Sequence, residues 1–325
     1  MDIKKLIIGC IGALVLISCE RIIDFEGDKS LQGITINGLA TTDTVFVAAI
    51  SRAYLFTDVP PITYLDYWEY EIHPDTFYRN QTVLPNANVE LTVNGADKYM
   101  MRYDPLHYNY RSDYIPRTGD RLTLRVEAEE LETVTAETTV PSIQRLEVLD
   151  YETYYEKKIL SNPLWDSGLD TVARITLRLT DPGNERNYYR LKVRNIGYDE
   201  SVNGEILMFS DIYTSADVIF MDNRLTKSYG GWAAYFSNVF DDNLFNGKEY
   251  TFSVETRLRY GERKHCVIEL QSITSDFYHY LKSVMLYRIT DQDAYTESIQ
   301  IHSNVKDGWG ILGAIGTEKH IVPFD

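Results

Sequence analysis

The stretch Leu122-Thr123-Leu124-Arg125-Val126 puts an apolar side chain at every second position. That is the period of a β-strand, whose successive side chains point to opposite faces of a pleated sheet. The same period returns at Ile34-Thr35-Ile36, Val89-Glu90-Leu91-Thr92-Val93 and Ile175-Thr176-Leu177-Arg178-Leu179. Turn signals bound these runs: Asn94-Gly95, Gly119-Asp120, Pro141, Asp181-Pro182-Gly183-Asn184 and Asn203-Gly204. Asn-Gly between alternating runs is a strong hairpin signal, and Pro ends a strand because it brings no N–H to the ladder. The pattern predicts a mainly β chain with two β-sandwich-like domains.

Residues 31–141 read as the N-terminal β-sandwich, Ig-like or transthyretin-like, in which Val45-Phe46-Val47 continues a mostly apolar strand. Two long stretches interrupt it. Residues 54–82 hold Tyr54, Phe56, Tyr64, Tyr67, Trp68, Tyr70, Phe77 and Tyr78, and residues 99–114 hold Tyr99, Tyr103, Tyr108, Tyr110 and Tyr114. Long connections are either functional or disordered, and disordered segments are poor in aromatics, so both are expected to be functional loops. Pro141 is the expected domain boundary, and 142–325 the C-terminal β-rich domain. There, strands are expected at Tyr188–Val193 and Tyr250–Arg259, the latter pairing with Cys266–Leu270 across Gly261. Phe277, Tyr280, Leu281, Val284 and Tyr287 recur at helical spacing, predicting one amphipathic helix near 275–289 with Ser275 as N-cap.

The N-terminus carries a different signal. Lys4-Lys5 precede an apolar run from Leu6 to Ile17, then Ser18-Cys19. A basic start, a short apolar stretch and a small residue at the cut make a signal peptide; twelve apolar residues are too few to span a bilayer. Leu16-Ile17-Ser18-Cys19 resembles a bacterial lipobox. Residues 1–18 are therefore expected to be a lipoprotein signal peptide, Cys19 the lipidated first residue of the mature chain, and 19–30 a charged tether. The chain has three cysteines. With Cys10 inside the apolar run and Cys19 acylated, Cys266 has no partner for an intrachain disulfide and is expected to be a buried, inert thiol.

The 325 residues carry 48 Asp+Glu against 32 Lys+Arg. That balance disfavours nucleic-acid binding and a polybasic membrane contact. The 25 tyrosines, against 12 phenylalanines, suit strands and binding surfaces. Gly308-Trp309-Gly310-Ile311-Leu312-Gly313 matches a dinucleotide-binding pattern, but too little chain follows it for the acidic residue and strand that such a site needs; close backbone packing or positive φ is the expected role. Asp241-Asp242-Asn243 with Asn246-Gly247 is oxygen-rich but lacks the ligand order of a calcium loop, and a capped turn is expected there. The six histidines show no zinc spacing, and neither a nucleophile elbow nor a P-loop is present. No metal and no cofactor is expected. Pairs of carboxylates for glycoside hydrolysis meet only in space, so nothing in the sequence selects two.

The C-terminal third carries a resemblance. Ser272-Ile273-Thr274-Ser275-Asp276-Phe277-Tyr278, then Glu297, then Ser303-Asn304-Val305-Lys306-Asp307-Gly308-Trp309-Gly310-Ile311-Leu312-Gly313 resembles the Bacteroidetes lipoproteins grouped as domain of unknown function 4249. Asp181 with Asn187-Tyr188-Tyr189, and Asp241 with Asn246-Gly247-Lys248, resemble two further motifs of that family. Ser298, Val305 and Leu312 depart from its pattern, and the stretch 54–82 is longer than its common form. The resemblance implies an outer-membrane lipoprotein, at the cell surface or on the periplasmic face, that serves as accessory to a TonB-dependent β-barrel transporter in nutrient capture. It implies no catalytic residue. Taken together, the expected function is non-enzymatic binding. Tyr64, Tyr67, Trp68 and Tyr70 are the expected contacts for a glycan or peptide ligand or for the partner. The alternatives are an adhesin or surface-assembly subunit, and a hydrolase of surface glycans.

Overall fold

The computed structural model describes residues 32–53, 82–157, 169–183, 185–199, 203–210, 213–220, 238–258, 263–290 and 299–323. Its strands, in chain order, open with β1 (Gly33–Thr41), β2 (Val47–Ala53), β3 (Asn88–Val93), β4 (Asp97–Met100), β5 (Arg102–Asp104), β6 (Asn109–Arg111), β7 (Arg121–Glu127) and β8 (Val134–Thr139). They continue with β9 (Leu146–Lys157), β10 (Leu169–Thr180), β11 (Tyr188–Asp199), β12 (Gly204–Ser210), β13 (Tyr213–Thr214), β14 (Val239–Asp241), β15 (Glu249–Leu258), β16 (Arg263–Ile273), β17 (Val305–Lys306) and β18 (Trp309–Pro323). Among the described residues the one α-helix is α1 (Ser275–Thr290). The described residues are mainly β, with several sheets and one α-helix, as the alternation predicts.

A nine-stranded sheet runs through the molecule in the order β12-β11-β16-β18-β1-β2-β6-β5, with β14 also paired to β11. Two smaller sheets face it. The order β17-β8-β7-β3-β4 covers one end, and β13-β15-β10-β9 covers the other. Between each small sheet and the large one lies an apolar core. Ile34, Ile36, Phe46, Leu91, Leu122 and Leu124 fill the first. Ile175, Leu177, Tyr189, Phe252, Ile268 and Leu270 fill the second. Each such side chain, taken fully out of water, contributes about 1.5–3 kcal/mol.

Strand β18 joins the two ends. Its first half pairs parallel with β1, from Thr35↔Trp309 to Thr41↔Ile315. Its second half pairs antiparallel with β16, from Ile273↔Ile315 to His265↔Pro323. Leu312 and Ala314 enter the first core, and Val322 enters the second. Ile311 and Ile315 point to the opposite face, where Phe277 and Leu281 of α1 close a third cluster. Strand pairing therefore crosses Pro141: the first sandwich holds β17 on β8 and β18 on β1 as well as its own early strands.

Several local expectations are revised. Asn94 and Gly95 both hold positive φ (52° and 72°), and the Ala96 N–H donates to the Val93 carbonyl, as in a tight hairpin turn. The aromatic stretch 99–114, however, is not a free loop; it supplies β5, β6 and part of β4. Tyr110 is buried, its hydroxyl donating to the Leu84 carbonyl (2.6 Å) and accepting from the Ala87 N–H (2.8 Å). Tyr114 donates to Asp120 at 2.5 Å. These rings close the end of the sandwich. The expected pairing of β15 with Cys266–Leu270 is also incorrect. β15 pairs with β10 and β13, and β16 with β11 and β18. Phe252 and Val254 on one, and Cys266, Ile268 and Leu270 on the other, fill the same core from opposite sheets. β15 and β16 thus lie in different layers. The first helical hydrogen bond runs from the Tyr278 N–H to the Thr274 carbonyl, so the cap lies one residue before Ser275.

Candidate functional site

Two motif-bearing segments meet where the second core ends. Asp181 closes β10, and its carboxylate accepts from the Tyr189 hydroxyl and from the Gly247 N–H (2.8 Å). Asp242, 1 % exposed, accepts from the Asn187 N–H at 2.8 Å. The Asn187 amide reaches the Pro182 and Glu185 carbonyls (3.3 and 3.1 Å). Gly247 has a φ of +74°, and a Cβ there would sit 2.9 Å from the Gly183 Cα. Only glycine permits that backbone contact. Burial pushes the Asp181 carboxyl up, and the hydrogen bonds from Tyr189 and Gly247 oppose the shift. The oxygen-rich loop is therefore a structural knot joining the β10–β11 and β14–β15 connections. No three His, Cys, Asp or Glu among the described residues group as a metal site.

The second segment clasps β18. Asn304 accepts from the Leu312 N–H and donates to the Leu312 carbonyl, both at 2.9 Å, as a peptide group of a neighbouring strand would. The same amide reaches the Glu137 carbonyl at 3.2 Å. His302 pairs with Asp276 in the first turn of α1 at 2.9 Å. A Cβ at Gly313 would meet the Phe277 ring at 2.9 Å, and one at Gly310 would lie 2.0 Å from the Ile36 carbonyl oxygen. Gly310 also has φ +102°. The glycines of 308–313 serve close strand and helix packing, as their lack of a nucleotide-binding context implies.

Between these segments opens a cleft of about 430 Å³. Its wall comes from the end of β8 with Pro141, from the 185–188 connection, and from the end of β16 with the start of α1. Arg121 pairs with Glu137 at 2.6 Å, and Arg186 pairs with Asp241 at 3.1 Å while lying 5.6 Å from the centre of the Tyr188 ring. Tyr188 packs against Tyr278 at 4.8 Å. Ser272 is 5 % exposed; its Oγ and that of Thr274 have no hydrogen-bond partner among the described residues. The two segments that carry the resemblance in sequence, 181–189 and 272–278, both contribute to this wall. Their meeting is the signal that could have located the cleft; read singly, each segment identifies only a turn or a helix start.

The residues expected to form the site are placed as follows. Cys19, Tyr64, Tyr67, Trp68 and Tyr70 lie outside the described residues. Cys266 is buried among the strands of the second core, and burial pushes its thiol up to about 12. A thiol so reluctant to ionise is a poor nucleophile. Asp181, the carboxyl that burial pushes up, lies behind Tyr189 and Gly247 and is not in the cleft wall.

A family profile described as Domain of unknown function (DUF4249) matches residues 20–321. No curated protein matches the sequence.

Proposed function

This chain belongs to the family described as Domain of unknown function (DUF4249), and from that premise we propose that it is a lipid-anchored, non-enzymatic binding protein of the outer membrane that assists a TonB-dependent transporter in nutrient capture. Lipid on Cys19 is the anchor, supported by the run Lys4-Lys5, Leu6–Ile17, Ser18-Cys19. Among the described residues no helix is long and apolar enough to cross a membrane.

The observation that carries the reading is where the chain enters and leaves the sheet. Gly33, at the start of β1, is paired with Ala53, at the end of β2. The tether from Cys19 therefore reaches the fold beside the point where the aromatic stretch 54–82 begins. A Cβ at Gly33 would lie 2.4 Å from the Trp309 ring, so Trp309, 37 % exposed, stands at the same end. Twelve residues of tether extend at most about 43 Å. That reach keeps this aromatic end near the bilayer, where a membrane-embedded barrel is accessible. Tyrosine and tryptophan suit such a contact, with an apolar body and a polar tip.

The test is affinity purification of the full chain from detergent-solubilised membranes. The reading expects a β-barrel transporter to co-purify, with the amount reduced by Trp68→Ala with Tyr67→Ala. Recovery of self-polymers would favour the adhesin reading instead, and recovery of the chain alone would contradict the partnership.

A further inference from the structure

We infer that the cleft between β8, the 185–188 connection and the start of α1 takes a neutral, hydroxyl-rich ligand of the saccharide class. The inference deepens the reading of the chain as a binding protein and rests on it. The volume, about 430 Å³, is that of a small-molecule site. The wall mixes polar and apolar surface in nearly equal parts, and its ionic groups are largely paired already. Arg121 holds Glu137, Arg186 holds Asp241, and Asp276 holds His302. An ionic ligand would meet charges that are largely neutralised by their partners. A neutral hydroxyl needs no free charge, because each pair leaves hydrogen-bonding capacity unused: a guanidinium has five N–H donors, a carboxylate about four lone-pair positions, and one contact consumes a small part of either. Sugar hydroxyls both donate and accept, which matches a wall that offers both at short intervals.

The floor points the same way. The hydroxyls of Ser272 and Thr274 are buried in the wall without a partner among the described residues. Buried polar groups in native proteins are nearly always satisfied, so a group that settles onto this floor gains bonds the protein alone does not make. Above them the first-turn N–H groups of α1 lack intrahelical acceptors. Apolar surface, with Pro141, Ile273 and the Tyr188 ring, alternates with these polar groups and suits the apolar faces of a sugar ring.

The experiment is a glycan array probed with the full chain in detergent, followed by titration of the bound glycans. Neutral oligosaccharides are expected to bind. Thr139→Trp, which fills the cleft from an exposed position on β8, and Glu137→Gln, which removes a rim acceptor without changing its shape, are each expected to lower affinity at least tenfold. Both variants should keep the parent melting temperature. Binding confined to acidic saccharides, binding unchanged in both variants, or no neutral glycan bound would overturn the assignment. Glycan binding without a co-purifying transporter would leave the site standing and remove the transport partnership; a transporter without glycan binding would do the reverse.

Discussion

Gly310 sits on β18 where the parallel partner β1 comes closest. Its φ is +102°, and any Cβ would lie 2.0 Å from the Ile36 carbonyl oxygen. Both the conformation and the space exclude other residues. Gly310→Ala is therefore expected to cost about 3 kcal/mol or more, measured as a fall in urea midpoint at unchanged slope. Charge placement makes a second prediction. Burial disfavours the ionised Asp120, but hydrogen bonds from Tyr114, Asn94 and the Arg117 N–H outweigh it and hold its carboxyl below the usual value. A depressed folded pKa stabilises above the ordinary aspartate value, about 3.9, and the contribution is lost as pH falls through the folded pKa. Asp181, pushed up by burial, has the opposite sign: its contribution is present at low pH and lost as pH rises through the raised value. Asp120→Asn should flatten the acid limb of the stability curve, and Asp181→Asn should steepen it. Equilibrium unfolding at several pH values checks both; equal slopes would contradict the pairing described.

At the scale of elements, what the sequence discloses is local. Alternation finds β3, β7 and the core of β10 because their side chains face a single apolar layer and water by turns. Helical spacing finds α1, although Met285 is buried and Tyr287 is 37 % exposed, since the helix lies along Ile311 and Ile315. Pairing is not local. β15 and β16 look like a hairpin because only a short connection separates them, yet their shared core places them in facing sheets. Nothing near residue 35 indicates that it pairs with residue 309. The clasp at Asn304 is similarly silent, since one side chain substitutes for a strand's peptide group. Asn304→Ala is expected to leave the Leu312 N–H and carbonyl unpaired, at a cost of about 1–3 kcal/mol. Hydrogen exchange at the Leu312 amide would speed up selectively; exchange unchanged there would contradict the clasp.

Over the whole molecule, the large sheet makes the two sandwiches mechanically one. β18 contributes to both main cores and to the layer under α1. A chain ending at residue 304 loses β17 and β18, leaving β1 and β16 each short of one neighbour and both cores open to water. It is expected to show no cooperative thermal transition for either sandwich, checked by calorimetry; retention of one intact transition would show that a sandwich stands without them. The same sheet sets the polarity of the molecule. The described chain enters it at Gly33 and leaves it at the paired Ala53, and the cleft lies beside the end of β8 and the start of α1. The sequence offers a candidate anchor and the aromatic stretch but not the cleft, because the cleft is made by three segments, the second some fifty residues after the first and the third some ninety after the second. The proposal that this fold works at a membrane rests on Cys19. Mass spectrometry of the N-terminal peptide from the membrane-extracted protein tests it most directly. The account predicts a chain that begins at Cys19 and carries the mass of a diacylglyceryl group on its sulfur; a chain with residues 1–18 retained, or an unmodified Cys19, would contradict it.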